Sequence, residues 1–225
     1  MGKKARQFKI RLFQDDEIDE MKRLLPLILL LPLVLAPLRG EARRLYYAEE
    51  FYLYVLNLYH TNPNLERNIR FLQWALEAPF DNQVRSLAKI ETENDWFRYK
   101  SLFRMHVNLL IIDSYLQLAR RFDKEHVYFY NLWFAEELQE SFTIARYYYE
   151  TARIYWDEVI EHAAEAQETP GRIDLDYWED ELFLIQSGEL DYAVIIADHL
   201  EKLETRLARV ESYLDRYENP SNDSS

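Results

Sequence analysis

The chain of 225 residues contains no cysteine. This absence excludes disulfide frameworks, thiolate nucleophiles and zinc sites with cysteine ligands. Glycine and proline are also scarce, with four and seven residues respectively. Strand-rich domains need turn residues more often than this, so the composition predicts an all-α fold of antiparallel helical hairpins, either a repeat array or a bundle.

Basic residues are also scarce in comparison with acidic ones. The chain has 27 Lys and Arg against 40 Asp and Glu, a formal net charge of −13. A field of this sign repels phosphate backbones and anionic headgroups, so we expect no nucleic acid partner. Aromatic side chains are plentiful instead, with 17 tyrosines, 12 phenylalanines and five tryptophans. Such residues fill helical cores, and they also anchor protein interfaces.

An apolar run near the N-terminus resembles an export signal. Two basic residues precede the 15-residue apolar stretch 24–38, and the small residues Gly40 and Ala42 follow it. This order predicts a signal peptide over residues 21–42, cleaved between Ala42 and Arg43. A helix of that length spans only ~22 Å, less than the ~30 Å hydrocarbon core. The alternatives are an uncleaved anchor in the inner membrane and a buried apolar segment; we expect membrane contact only for the anchor.

The boundaries of the exported domain follow from the leader. Five acidic residues stand directly before the leader, where a signal peptide should be basic. We therefore interpret residues 1–20 as a mis-annotated extension. Residues 43–219 are expected to form one helical domain, and residues 220–225 a disordered tail. An exported domain without disulfides is typical of a bacterial periplasm.

Glycine, proline and clusters of polar residues divide the domain into helices. Asn62 or Asn64 is a plausible cap at the first turn. Residues 80–169 lack glycine and proline, so polar clusters near Thr92–Asp95 and Phe122–Lys124 must supply the breaks, with a bend near Asn131. The predicted helices are 43–61, 64–78, 95–121, 127–167, 172–187 and 189–219.

Two helices carry apolar residues at a spacing of four and three. In the fourth, which we expect to be central and packed on more than one side, they are Leu138, Phe142, Ala145, Tyr149, Ala152, Trp156, Val159 and Ala163. In the last they are Ala193, Ile196, Leu200, Leu203, Leu207, Val210, Leu214 and Tyr217. The second seam either packs back onto the domain or joins a partner helix, in which case a homo-oligomer would form through residues 193–217.

Three consecutive tyrosines predict an interface. Successive helical residues turn by about 100°, so Tyr147, Tyr148 and Tyr149 cannot share one core face. Tyr149 belongs to the seam and Tyr148 to the stripe beside it. We expect Tyr147, next to Arg146, to be an exposed anchor for a partner; the alternative is a tyrosine covered by a neighbouring helix.

No catalytic pattern is present. Asp123 and His126 form the one acid-x-x-His motif, but their position at a helix junction favours a capping role over a metal ligand. Zinc-protease, phosphate-loop and nucleophile-elbow motifs are absent. The sequence therefore predicts a protein that is not an enzyme and that holds no cofactor or metal.

The alternation of small and aromatic residues resembles tetratricopeptide-type repeats. Ala145, Tyr149 and Ala152 stand at the spacing of that family's second-helix signature, and Phe129 and Leu132 fit its first helix. The match covers one repeat of roughly 34 residues. Departures from the pattern occur at Trp133, Glu136 and Asp157. The chain also resembles helical-repeat proteins of the spirochaete periplasm, including those around the flagellar motor.

Two functions remain in competition. The first is a periplasmic scaffold or adaptor that binds another envelope protein through an aromatic and acidic helical surface. The second is a periplasmic module that binds a small molecule in an aromatic-lined pocket between helices. A closed cavity of several hundred Å³ favours the second function, and an open exposed patch favours the first.

Overall fold

The computed structural model describes residues 44–59, 64–124 and 134–218. The helices below belong to one compact unit that begins at Leu45. The predicted extension, signal peptide, cleavage site and C-terminal tail lie outside the described residues, as do Asn131 and His126.

Six α-helices and no β-strand occupy the described ranges, which confirms the all-α prediction. We number them α1 to α6 in chain order; a short 3₁₀ turn, Gln83–Arg85, lies between α2 and α3. The helices are Ala48–Tyr59, Leu65–Glu77, Glu93–Phe122, Ala135–Glu168, Asp176–Ser187 and Tyr192–Glu218.

Polar side chains set the helix ends where the sequence indicated. Asn64 caps α2 by accepting a hydrogen bond from the Arg67 N–H at 2.9 Å. The Thr92 hydroxyl caps α3 by accepting a hydrogen bond from the Asp95 N–H. The Asp95 carboxylate in turn accepts a hydrogen bond from the Thr92 N–H at 2.8 Å, which completes a capping box. At the end of α5, Gly188 adopts a left-handed conformation with φ +73°, where a side chain would be strained.

The helices pack in a chain of neighbours. The first two form a hairpin, α2 packs on α3, α3 runs along α4, and α6 lies against the other side of α4. The short helix α5 contacts both α3 and α4. All eight seam residues of α4 are buried, as the spacing predicted. The spacing did not indicate that α3 would be buried on so many sides, because its apolar residues do not form a single stripe.

The seam of α6 is used inside the domain. Leu203, Leu207 and Val210 are buried, and Leu200 and Leu214 are half-buried against the core. Ala193 is exposed, contrary to the predicted pattern; it lies in the first turn of α6, and Asp191 accepts a hydrogen bond from its N–H at 2.9 Å. Since α6 packs along α4, these leucines contribute to the domain itself.

Ala145, Tyr149 and Ala152, which match the second-helix signature of a tetratricopeptide repeat, lie on α4, whereas Phe129 and Leu132 lie outside the described residues. Such a repeat is a helix–turn–helix unit. Glu136 and Ala152 both belong to α4, which runs without a break from Ala135 to Glu168. The helix also begins at Ala135 rather than near the predicted residue 127.

A buried arginine joins three helices. Arg98 on α3 donates from Nε and Nη2 to the two carboxylate oxygens of Glu179 on α5, at 2.9 and 2.6 Å. Its Nη1 donates to the carbonyls of Ala166 and Thr169 at the end of α4. Glu179 also accepts from the Ile173 N–H at 3.0 Å. Burial alone would raise the pKa of the Glu179 carboxyl, but the bonds from Arg98 and Ile173 outweigh it and lower that pKa.

We predict that Arg98→Met lowers the free energy of unfolding by about 3–5 kcal/mol, because it leaves Glu179 buried without its counter-charge. Urea denaturation followed by circular dichroism measures the loss. The double variant Arg98→Met/Glu179→Leu serves as the control and should recover part of the loss. Equal stability of wild type and Arg98→Met would contradict the role of this pair.

The same pair predicts a pH dependence. Because the pKa of Glu179 is lowered in the folded state, its contribution is fully present above the unfolded value of about 4.3 and is lost as the pH falls through the folded value. Unfolding curves taken between about pH 6 and pH 3 should show this loss in wild type. The loss should be smaller in Arg98→Met/Glu179→Leu.

Candidate functional site

One face of α4 points away from the rest of the domain. A turn of 100° per residue places eight residues opposite the buried seam, and all eight are exposed. Five are acidic, none is basic, and the two large apolar ones are Tyr147 and Ile154. We call this set the outer face; it consists of Glu140, Thr143, Tyr147, Glu150, Ile154, Asp157, Glu158 and Glu161.

Tyr147 and Ile154 are 62% and 64% exposed and lie two helical turns apart. The Tyr147 ring lies 5.6 Å from that of Tyr148, which itself packs at 6.1 Å against Tyr115 of α3. Thr151 donates a hydrogen bond to the Tyr147 carbonyl at 2.7 Å. The exposed tyrosine is therefore supported by an ordered aromatic neighbour, and the alternative of a covering helix does not apply among the described residues.

Arg146 lies beside the outer face rather than on it. Its guanidinium forms an ion pair with Glu204 of α6 at 3.3 Å. Both side chains are partly exposed, and such pairs contribute little to stability. Arg146 therefore connects α4 to α6 at the edge of the surface that the sequence assigned to it.

A ladder of tyrosines holds the opposite edge of α4 against α2 and α3. The rings of Tyr115 and Tyr155 stack at 5.7 Å, and Gln73 of α2 donates to the Tyr155 hydroxyl at 2.7 Å. Burial, followed by the neighbouring tyrosines, raises the pKa of Tyr115 to about 12. The Tyr115 hydroxyl therefore keeps its proton at neutral pH and adds no charge beside the outer face.

A second surface lies where the α2–α3 connection meets the first turns of α3. It is an open groove with a volume of about 700 Å³. Two of its residues are aromatic, two are basic and one is acidic. The lining residues are Phe80, Asp81, Asn82, Gln83, Val84, Trp96, Lys100 and Arg104.

The two basic residues of the groove lie over aromatic rings. Lys100 Nζ is 5.6 Å from the centroid of the Trp96 ring and 4.5 Å from that of Phe97. The Arg104 guanidinium carbon lies 5.5 Å from the centroid of the Phe80 ring. Attraction to the electron-rich ring faces fixes both cations without neutralising them.

A buried glutamate fixes the connecting segment. Glu49 of α1 accepts hydrogen bonds from the Asp81 N–H at 3.1 Å and from the Tyr99 hydroxyl at 3.3 Å. The Leu87 N–H donates to the same hydroxyl at 3.2 Å. Phe80 then packs edge-on against Trp96 and Phe103 at 5.9 and 5.1 Å. The groove is therefore preformed on the core.

Little in the local sequence pattern indicates this groove. Its residues come from an irregular segment without periodicity and from one side of α3. The signal that was available is the spacing of Trp96, Lys100 and Arg104 at intervals of four, which places them on one side of a helix.

A hydrogen-bonded triad of Tyr52, His106 and Glu181 lies inside the domain. The Tyr52 hydroxyl is 3.0 Å from Nε2 of His106, and Nδ1 of His106 is 2.7 Å from Glu181. The ring tautomer that donates from Nδ1 to Glu181 and accepts at Nε2 from the Tyr52 hydroxyl satisfies all three groups. Burial raises the pKa of Tyr52 to about 12. Tyr52 and His106 are buried, so the triad holds α1, α3 and α5 together rather than facing a substrate.

Asp123 uses its carboxylate to join helices. It accepts a hydrogen bond from the Tyr149 hydroxyl at 3.1 Å, and Arg206 of α6 forms an ion pair with its other oxygen. Within the described ranges no group of three or more metal-ligating side chains is close enough to hold an ion. Nor does any helix in those ranges have the length and apolarity to cross a membrane.

These features define the class as an all-helical domain with an exposed acidic helix face and a preformed aromatic groove. The model of one family, Domain of unknown function (DUF8513), matches residues 94–213, just over half of the chain. The chain belongs to this family. The matched region runs from the start of α3 into α6 and includes the outer face. No curated protein and no solved structure matches the chain.

Tyr147 and Tyr149, two positions apart on α4, give a matched pair of substitutions. Tyr149 is fully buried, so Tyr149→Ala should lower the free energy of unfolding by about 3–5 kcal/mol. Tyr147→Ala removes a mostly exposed ring and should change it by no more than about 0.5 kcal/mol. Thermal and urea unfolding measure both. A loss of several kcal/mol in Tyr147→Ala would make it a core residue.

Proposed function

We propose that the chain is a non-enzymatic interaction scaffold of the periplasm, whose outer face binds another envelope protein. The observation that carries the proposal is the pairing of Tyr147 with Ile154 on an otherwise acidic, fully exposed face of a 34-residue helix. Interface anchors are typically rigid aromatic side chains surrounded by polar residues. The buried seam on the opposite side of α4 supplies that rigidity.

The chemistry of the outer face defines the partner that it would accept. Five carboxylates and no basic residue favour a partner surface rich in Lys and Arg. Tyr147 and Ile154 require two shallow apolar sites about 10 Å apart, the rise of seven helical residues. A basic helix or groove with apolar sites at that spacing meets both conditions.

The alternative function, small-molecule binding, would use the groove rather than the outer face. Phe80 and Trp96 supply aromatic walls, and the volume of about 700 Å³ is within the range of ligand pockets. However, the groove is open, whereas small-molecule sites usually enclose most of the ligand. The open form gives less support to this alternative than to a scaffold.

Comparative capture tests the scaffold. Immobilised wild type, Tyr147→Ala and Phe183→Ala would each be incubated with an envelope extract from the source organism. Phe183 is the matched control, because it is 63% exposed and lies on α5. We expect wild type and Phe183→Ala to retain the same partner and Tyr147→Ala to lose it.

Salt adds a second measurement to the capture. Because the outer face is acidic, raising the salt from about 0.1 to 0.5 M should weaken capture by wild type. Capture that persists in Tyr147→Ala, or that is lost equally in Phe183→Ala, would place the interface elsewhere.

Export is a separate part of the proposal. If residues 21–42 are a cleaved signal peptide, N-terminal sequencing of protein from the envelope should begin at Arg43. An N-terminus upstream of residue 24 in that material would instead show that the protein stays anchored to the membrane.

A further inference from the structure

We propose that the groove at the start of α3 binds an acidic peptide segment that carries an aromatic side chain, supplied by a partner protein. This binding site is distinct from the outer face and has the opposite charge preference. Its elements are two cations without carboxylate partners, an aromatic floor and a preformed open shape.

The cations provide the first argument. The chain has a net charge of −13, yet neither Lys100 nor Arg104 has a carboxylate within 4.0 Å among the described residues. Both side chains are half-buried, so their charges are partly desolvated. A carboxylate that reaches them gains more than it would at a fully exposed lysine.

Nearby acids are already engaged. Asp81 lies 3.5 Å from Arg85 and accepts the Asn82 N–H at 2.7 Å. Glu165, whose charge interacts with Arg104, accepts from Ser101 at 3.1 Å and lies 2.9 Å from His162. Burial opposes ionisation of Glu165, but these contacts and Arg104 lower its pKa. The groove therefore keeps a positive character despite its two acidic neighbours.

The apolar surface provides the second argument. Phe80 and Trp96 form a floor that is already packed on the core through Tyr99 and Phe103. At the rim, Val84 is 94% exposed. An aromatic side chain of a ligand can cover Val84 and the adjoining floor, with its neighbouring carboxylates over the two cations. Because the floor is preformed, little ordering accompanies binding.

Shape decides in favour of a peptide. An open groove of about 700 Å³ leaves one side of any occupant in water. A segment of a larger protein tolerates this, because its exposed side is covered by its own chain or by solvent. The same segment would be repelled by the five carboxylates of the outer face, so the two surfaces select different partners.

Two synthetic peptides test the site. Fluorescence anisotropy would compare labelled Asp-Glu-Phe-Asp-Glu-Phe with the uncharged Asn-Gln-Phe-Asn-Gln-Phe on the purified protein. We expect the acidic peptide to bind more tightly, and Lys100→Gln/Arg104→Gln to weaken it by about tenfold, as expected for the loss of two partly buried ion pairs. The uncharged peptide should show no such loss.

A matched variant controls for general charge. Arg120→Gln/Arg121→Gln removes the same charge from the other end of α3, about 30 Å away, where both side chains are exposed. It should leave the affinity for the acidic peptide within about twofold. Val84→Asp adds a carboxylate at the exposed rim without touching the core, and it should weaken the acidic peptide.

The outcomes separate this site from the scaffold proposal. Equal binding of the two peptides, no binding of either, or equal losses in the two double variants would overturn the groove assignment. If Lys100→Gln/Arg104→Gln unfolds, Val84→Asp still decides the matter. Tyr147→Ala should bind the acidic peptide as tightly as wild type does. A loss of envelope capture in that variant therefore tests the outer face and says nothing against the groove.

Discussion

The buried contact between Arg98 and Glu179 is the interaction on which the arrangement of α3, α4 and α5 depends. The last carbonyls of a helix lack partners within the helix, and here a guanidinium supplies donors to two of them at the end of α4. The same group is neutralised by a carboxylate from α5. One side chain thus ends the longest helix, fixes the turn after it and places α5. A buried guanidinium is stable in such a site only when nearly all of its N–H donors form hydrogen bonds.

The fixed geometry of the outer face depends on the rigidity of α4. Its seam is buried, its C-terminal end contacts Arg98, and Asp123 joins Tyr149 near the middle of α4 to Arg206 of α6. With its C-terminal end, its middle and one side fixed, α4 can present Tyr147 and Ile154 at a constant spacing on the side opposite the seam. A flexible helix would lose more conformational freedom on binding and would bind less tightly.

The sequence was sufficient for features that depend on local spacing. The fold class, the seam of α4, the cap at Asn64 and the exposure of Tyr147 all follow from helical geometry and side-chain chemistry. Features built from distant residues were not accessible. Arg98 and Glu179 are 81 positions apart, and Phe80 meets Arg104 only because Glu49 positions the irregular segment between them. Nothing in the local pattern distinguishes Arg98 from an arginine on a wet helix surface.

The electrostatic fields of the outer face and of the groove extend over different distances. The outer face has the same sign as the net charge of −13, so its field adds to that of the whole chain and can attract a basic partner before contact. The groove has the opposite sign to its surroundings. Within a Debye length of about 8 Å at physiological salt, Lys100 and Arg104 dominate, but beyond it an acidic segment meets net repulsion. If both proposals hold, association at the groove would be slow and selective, whereas association at the outer face would be steered. Such a chain would hold a basic partner on the outer face and admit an acidic segment to the groove only after close approach.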